Sequence, residues 1–150
     1  MKILHAIMLL GTILLMPEMS YSDDIAFNRL ISAKSLRCSF HDGSVVTWDN
    51  GSYKYDRDKR FDNLVYDSID LMNGKARIIG NQGAADINIV SSPSGISFLE
   101  MTGMGNITIT TVFPEYQKGT LKFICTHSRH MNMGKSVIVS QYHGVCDVLE

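Results

Sequence analysis

Beyond residue 34 the chain is cut into short stretches rich in β-branched and aromatic residues, recurring every 10 to 15 residues and each ended by turn residues. Such spacing asks for strands joined by short connections. Strands are predicted over 36–41, 45–48, 64–71, 76–79, 85–90, 96–101, 107–112, 121–130 and 137–146. Asp86-Ile87-Asn88-Ile89 and Ile107-Thr108-Ile109-Thr110 alternate as half-buried strands do. Asn73-Gly74, between two apolar runs, predicts a two-residue hairpin, because both turn positions need positive φ. Ser92-Pro93-Ser94-Gly95, Gly103-Met104-Gly105 and Asn132-Met133-Gly134-Lys135 read as further turns. Segment 53–63, which begins Tyr53-Lys54-Tyr55-Asp56-Arg57-Asp58-Lys59-Arg60, mixes charges and reads as a solvated loop.

Short connections force antiparallel neighbours. The expected fold is all-β, an antiparallel meander of eight or nine strands. Closure would remove exposed edges, which favours a closed or nearly closed up-and-down barrel over a curled sheet or sandwich. A short N-terminal helix is expected over 23–34, where Ile25, Leu30 and Ile31 are apolar and Ser22 or Asp23 can cap the start.

Residues 1–22 read as an export signal. Lys2 gives a positive start, 3–16 is an apolar run, and Ser20 and Ser22 are small residues at the cleavage-recognition positions. The run is shorter than the ~20 residues a spanning helix needs. Removal after Ser22 would leave a single domain over 23–150, periplasmic or secreted, with no membrane span in the mature chain. Lys2 and Glu18 leave together, so the formal net charge stays at −1. Without a basic stripe, no nucleic-acid partner is expected.

Three cysteines, Cys38, Cys125 and Cys146, allow one disulfide. If the last hairpin turns near Met133, Cys125 lies opposite 140–143 and Cys146 opposite 119–122. That offset is too long for a bridge, since a disulfide needs Cα atoms within about 7 Å. In a closed barrel the first and last strands are neighbours, so Cys38 and Cys146 are expected to pair across the seam. Cys125, in a row with Leu121 and Phe123, is expected to be a small buried hydrophobe.

His127, His130 and His143 lie near Met131 and Met133, a combination that suits copper outside the cytoplasm. On a regular strand, however, 127 and 130 face opposite sides, and His127 and His143 fall at different heights. Only the turn containing His130, Met131 and Met133 could gather ligands, and its default reading is a polar turn. Neither a metal nor a cofactor is called for. The Gly-x-Ser-x-Gly pattern of a nucleophile elbow does not occur. Gly80-Asn81-Gln82-Gly83 lacks the Lys-Ser/Thr of a phosphate loop and reads as a tight strand connection. Asn106-Ile107-Thr108 fits a glycosylation acceptor, of consequence only in a eukaryotic secretory pathway.

Two polar segments remain, Ser128-Arg129-His130 and Ser140-Gln141-Tyr142-His143-Gly144, on strands expected to pair. Ser128, Arg129, His130, Ser140, Gln141 and Tyr142 are the candidate ligand or hydrogen-bond-network residues, at one mouth of the barrel. Four stretches, Ile79-Gly80-Asn81-Gln82-Gly83-Ala84, 107–113, Ser128-Arg129-His130 and 140–146, make the chain resemble a group of small exported bacterial proteins. The resemblance implies a bacterial exported protein with cysteines near Cys38 and Cys146, and it carries no catalytic residue. The function expected is a non-enzymatic binding module for a small apolar or amphipathic ligand. The alternative is a periplasmic structural or protein-interaction domain with a filled core.

Overall fold

The computed structural model describes residues 21–59, 63–81 and 83–149. A helix, α1 (Tyr21–Ser32), precedes nine strands: β1 (Leu36–Asp49), β2 (Ser52–Asp58), β3 (Leu64–Asp70), β4 (Lys75–Gly80), β5 (Gly83–Ser92), β6 (Gly95–Met101), β7 (Ile107–Tyr116), β8 (Phe123–Asn132) and β9 (Ser136–Val148). Each strand from β3 to β9 pairs antiparallel with the next, and β1 pairs with both β3 and β9. Eight strands therefore close into a barrel, and β2 is an addition on the free part of β1. The export signal expected over 1–22 lies outside the described residues except for Tyr21 and Ser22, which form the start of α1.

Alternation drives the wall. Thr108, Thr110 and Val112 on β7 and Phe123, Cys125 and His127 on β8 are buried at every second position. Outward positions carry Arg37, Asp67, Arg77 and Asp86. No helix among the described residues is long and apolar enough to cross a membrane. At one end Ala26 and Leu30 of α1, with Ala33 just after it, join the core formed by Leu36, Ile96, Val112 and Phe123. Arg29 fixes this helix, its Nη1 donating to the Leu121 carbonyl at 2.7 Å and its guanidinium lying over the Tyr116 and Phe123 rings.

The seam carries the expected disulfide. Cys38 stands directly opposite Cys146, with Cα atoms 4.0 Å apart, and the two are bonded. Gly144 makes the close approach of β1 and β9 workable, since a Cβ there would land on the Ser39 carbonyl. Next to this contact β1 has a bulge at His41, between Phe40↔Gly144 and Asp42↔His143. The extra residue inverts the phase of β1. Phe40 points inward, but Val46 and Trp48 turn outward.

Several sequence expectations need correction. The strands expected over 36–41 and 45–48 are one continuous β1, because a bulge bends a strand without ending it. Segment 53–63 is not simply a loop, since Ser52–Asp58 forms β2. A two-residue turn at Asn50-Gly51, with φ of 48° and 79°, folds β2 back on β1. The connection at Asn73-Gly74 is a four-residue turn closed by Asp70↔Lys75. There the Asp70 carboxylate accepts the Asn73 backbone N–H at 3.0 Å and its side-chain amide at 2.6 Å. In the last hairpin Phe123 pairs with Cys146 and Cys125 with Gly144, one position beyond the expected windows. Cys125 is thus only two residues out of register with Cys146, and all three cysteine sulfurs lie within 4.8 Å of one another. Leu121 lies outside β8 and is exposed, whereas Phe123 and Cys125 are buried as expected.

Candidate functional site at the barrel mouth

Away from α1 the barrel holds an open cavity of about 810 Å³. Its existence follows from side-chain size. The β4–β5 hairpin contributes Gly80, Gly83, Ala84 and Ala85, which leave the space empty. Leu64 and Ile78 complete the apolar side. The polar side is assembled from four places: Lys59 after β2, Glu100 and Thr102 at the end of β6, Thr108 on β7, and His127 and Arg129 on β8. Thr108 Oγ1 donates to Glu100 Oε2 at 3.0 Å, which holds that carboxylate against the wall.

Below the cavity a buried polar chain crosses the barrel. Tyr66 Oη donates to Thr110 Oγ1 at 2.6 Å, and Thr110 Oγ1 lies 2.7 Å from His127 Nδ1. Tyr66 stacks on Phe98 with centroids 4.1 Å apart, so the chain rests on a packed aromatic floor. Burial raises the Tyr66 phenol well above its ordinary range and keeps it a donor. Burial, aided by the positive charge of Arg129, pulls His127 down to about 4. The imidazole is therefore neutral at physiological pH. The Thr110–His127 contact has the form of a nucleophile and its base, but Thr110 is 1% exposed, is absent from the cavity lining, and accepts the Tyr66 hydroxyl. Its oxygen is not presented to a substrate.

Tyr142 ties the mouth to β2. It is buried, and its hydroxyl donates to Asp58 Oδ2 at 2.8 Å. Burial, then that acceptor, raises its pKa. Because Asp58 immediately precedes Lys59, this bond sets where the lysine meets the cavity.

Of the six residues singled out from the sequence, Ser128 pairs with Gln141 and Arg129 with Ser140, while His130 stands opposite Val139 and Tyr142 opposite His127. Strand alternation divides them. Arg129, Ser140 and Tyr142 point inward, whereas Ser128, His130 and Gln141 point outward. Arg129 alone of the six lines the cavity. His130 and Met131 fall on opposite faces, and Arg129 Nη2 donates to Met131 Sδ at 3.4 Å, so the last turn does not draw His130 and Met131 together. His127 is buried while His143, paired with Thr126, is exposed on the outer face. Sequence reasoning missed His127 as an interior polar residue, though its spacing from Phe123 and Cys125 places it in their row. Lys59, Glu100 and Thr108 left no signal: Glu100 and Thr108 meet through the register of the β6–β7 pair, and closure brings Lys59 to them. Comparison with protein-family models, curated proteins and solved structures returns no significant match.

Proposed function

We propose that the protein is an exported, non-enzymatic binding module, periplasmic or secreted, that holds one small amphipathic molecule in the mouth of its barrel. The observation that carries this reading is the two-sided cavity of about 810 Å³, within the size range of small-molecule sites. Leu64, Ile78, Ala84 and Ala85 offer an apolar side, and Lys59 and Arg129 offer positive charge across from it. An apolar body with an anionic end suits that lining. Glu100 and Thr108 would orient a hydroxyl or amide. An eight-stranded barrel is wide enough for one such ligand. The Cys38–Cys146 disulfide agrees with an oxidising compartment.

Native mass spectrometry of the exported protein, purified without reductant or chelator, tests the reading directly. A retained adduct of a few hundred daltons is expected. The fluorescent probe anilinonaphthalene sulfonate should bind the emptied protein, about tenfold more weakly in Arg129→Gln and not at all in Ala85→Trp. A bare chain that ignores the probe would defeat the proposal. It would favour the second reading, a surface-acting domain, which the large residues Tyr66, Phe98 and Phe123 filling the rest of the interior support.

A further inference from the structure

Independently of the cavity, we infer that β2 is a homodimerisation edge, pairing antiparallel with the β2 of a second copy about a two-fold axis at Tyr55. Every strand of the closed barrel is paired on both sides, but β2 pairs only with β1 among the described residues. Six of its seven residues are exposed, so both of its faces and its outer edge meet solvent. An unpaired edge of this kind is a template for another strand.

The turn decides which backbone groups are offered. With Asn50-Gly51 as a two-residue turn, Asp49 and Ser52 form a hydrogen-bonded pair. Bonding then alternates, so Lys54, Asp56 and Asp58 spend their N–H and C=O groups on β1. Tyr53, Tyr55 and Arg57 direct theirs to the free edge.

Charge selects the partner and the register. Ser52-Tyr53-Lys54-Tyr55-Asp56-Arg57-Asp58 is mismatched to a neutral strand, yet it complements an antiparallel copy of itself. Centred on Tyr55, the pairing sets Lys54 opposite Asp56 of the second copy, twice, and Tyr53 opposite Arg57, twice. All seven residues are used. Centring on Lys54 or on Asp56 would oppose like charges, which is unfavourable directly across a ladder. In the single chain Lys54 and Asp56 are 3.0 Å apart on one exposed face, so they can exchange partners at little cost. The axis also joins the two outer faces. Val137–Trp48–Tyr53 and Val139–Val46–Tyr55 are cross-strand rows on the outer side of β9, β1 and β2. Trp48 is stacked on Tyr53 at 6.0 Å, and Trp48, Tyr53, Tyr55, Val137 and Val139 are all exposed. Pairing makes this one apolar strip running across both copies.

The test is sedimentation velocity on the purified exported chain across a wide concentration series. A monomer–dimer equilibrium is expected, weakened at least about tenfold in Lys54→Asp and in Asp56→Lys, which oppose like charges. Mixing those two variants should restore a dimer, now a heterodimer, because at positions 54 and 56 each Asp of one then faces a Lys of the other. Tyr55→Pro, which deletes the central outward N–H and leaves β1 pairing intact, should also give monomers. Circular dichroism confirms folding in each case. A wild-type chain that stays monomeric throughout overturns the inference. So does a dimer indifferent to both charge reversals, or a mixture of the two that fails to associate.

Discussion

At the α1 end of the barrel Leu36, Ile96, Val112 and Phe123 are buried essentially completely, and α1 lies against them with Leu30 equally buried. At the opposite end the corresponding rows offer Gly80, Ala85, Glu100, Thr108 and Arg129 around open space. The same eight strands serve both ends. Only side-chain size and polarity along each inward row change, and the row of β8 shows it most simply: Phe123, Cys125, His127, Arg129. Stability and binding are thus divided along the strand axis. Large apolar residues in one half hold the wall together, which frees the other half to stay unfilled.

That division can be broken most severely at the seam. Replacing Cys38 and Cys146 by alanine opens a loop spanning 108 residues in sequence, and the chain-entropy relation assigns such a bridge about 4.7 kcal/mol. Urea unfolding of the double variant should show a loss of that order. Phe98→Ala, on the aromatic floor, should cost ~4 kcal/mol in the same measurement, because its buried ring leaves a cavity. A loss below ~1 kcal/mol would mean that the floor is not part of the filled half.

A smaller effect depends on pH. His127 is held at about 4 when folded, against 6.5 for the ordinary side chain. The unfolded chain therefore binds the proton first. This contribution to stability is complete above pH 6.5 and falls as the pH drops from 6.5 toward 4, by ~3 kcal/mol in total. His127→Asn should remove that slope, and an unchanged pH profile in the variant would contradict the burial argument. Smallest of all, Ala85→Leu at the mouth should change stability by less than ~0.5 kcal/mol while filling part of the cavity. A large destabilisation there would erase the contrast between the two ends.

Much of this architecture is legible in the sequence because burial leaves a period-2 trace. Phe123 and Cys125, or Ile87 and Ile89, can be read as inward rows from their spacing alone. β2 leaves no such trace. Both of its faces are exposed, so Tyr53 to Asp58 alternates tyrosine or arginine with charge rather than apolar with polar. What makes it a strand is the Asn50-Gly51 turn behind it. The registers are less accessible for a related reason: a shift of one position in the last hairpin moves Cys125 beside the disulfide without altering composition. The mouth is least legible. Glu100, Thr108 and Arg129 become neighbours only through the registers of the β6–β7 and β7–β8 pairings, and Lys59 reaches them only when the barrel closes.

The third cysteine has a consequence for how the seam is kept. A thiol within 4.8 Å of two bonded sulfurs is placed to displace either one by exchange, which would leave the strands tied in a different order. Such displacement requires the thiolate. Burial pushes Cys125 up to about 12, so at neutral pH on the order of one molecule in 10⁵ carries that anion. The barrel thereby acts as its own lock: the choice among three sulfurs is open while water reaches them and is frozen once the wall has closed.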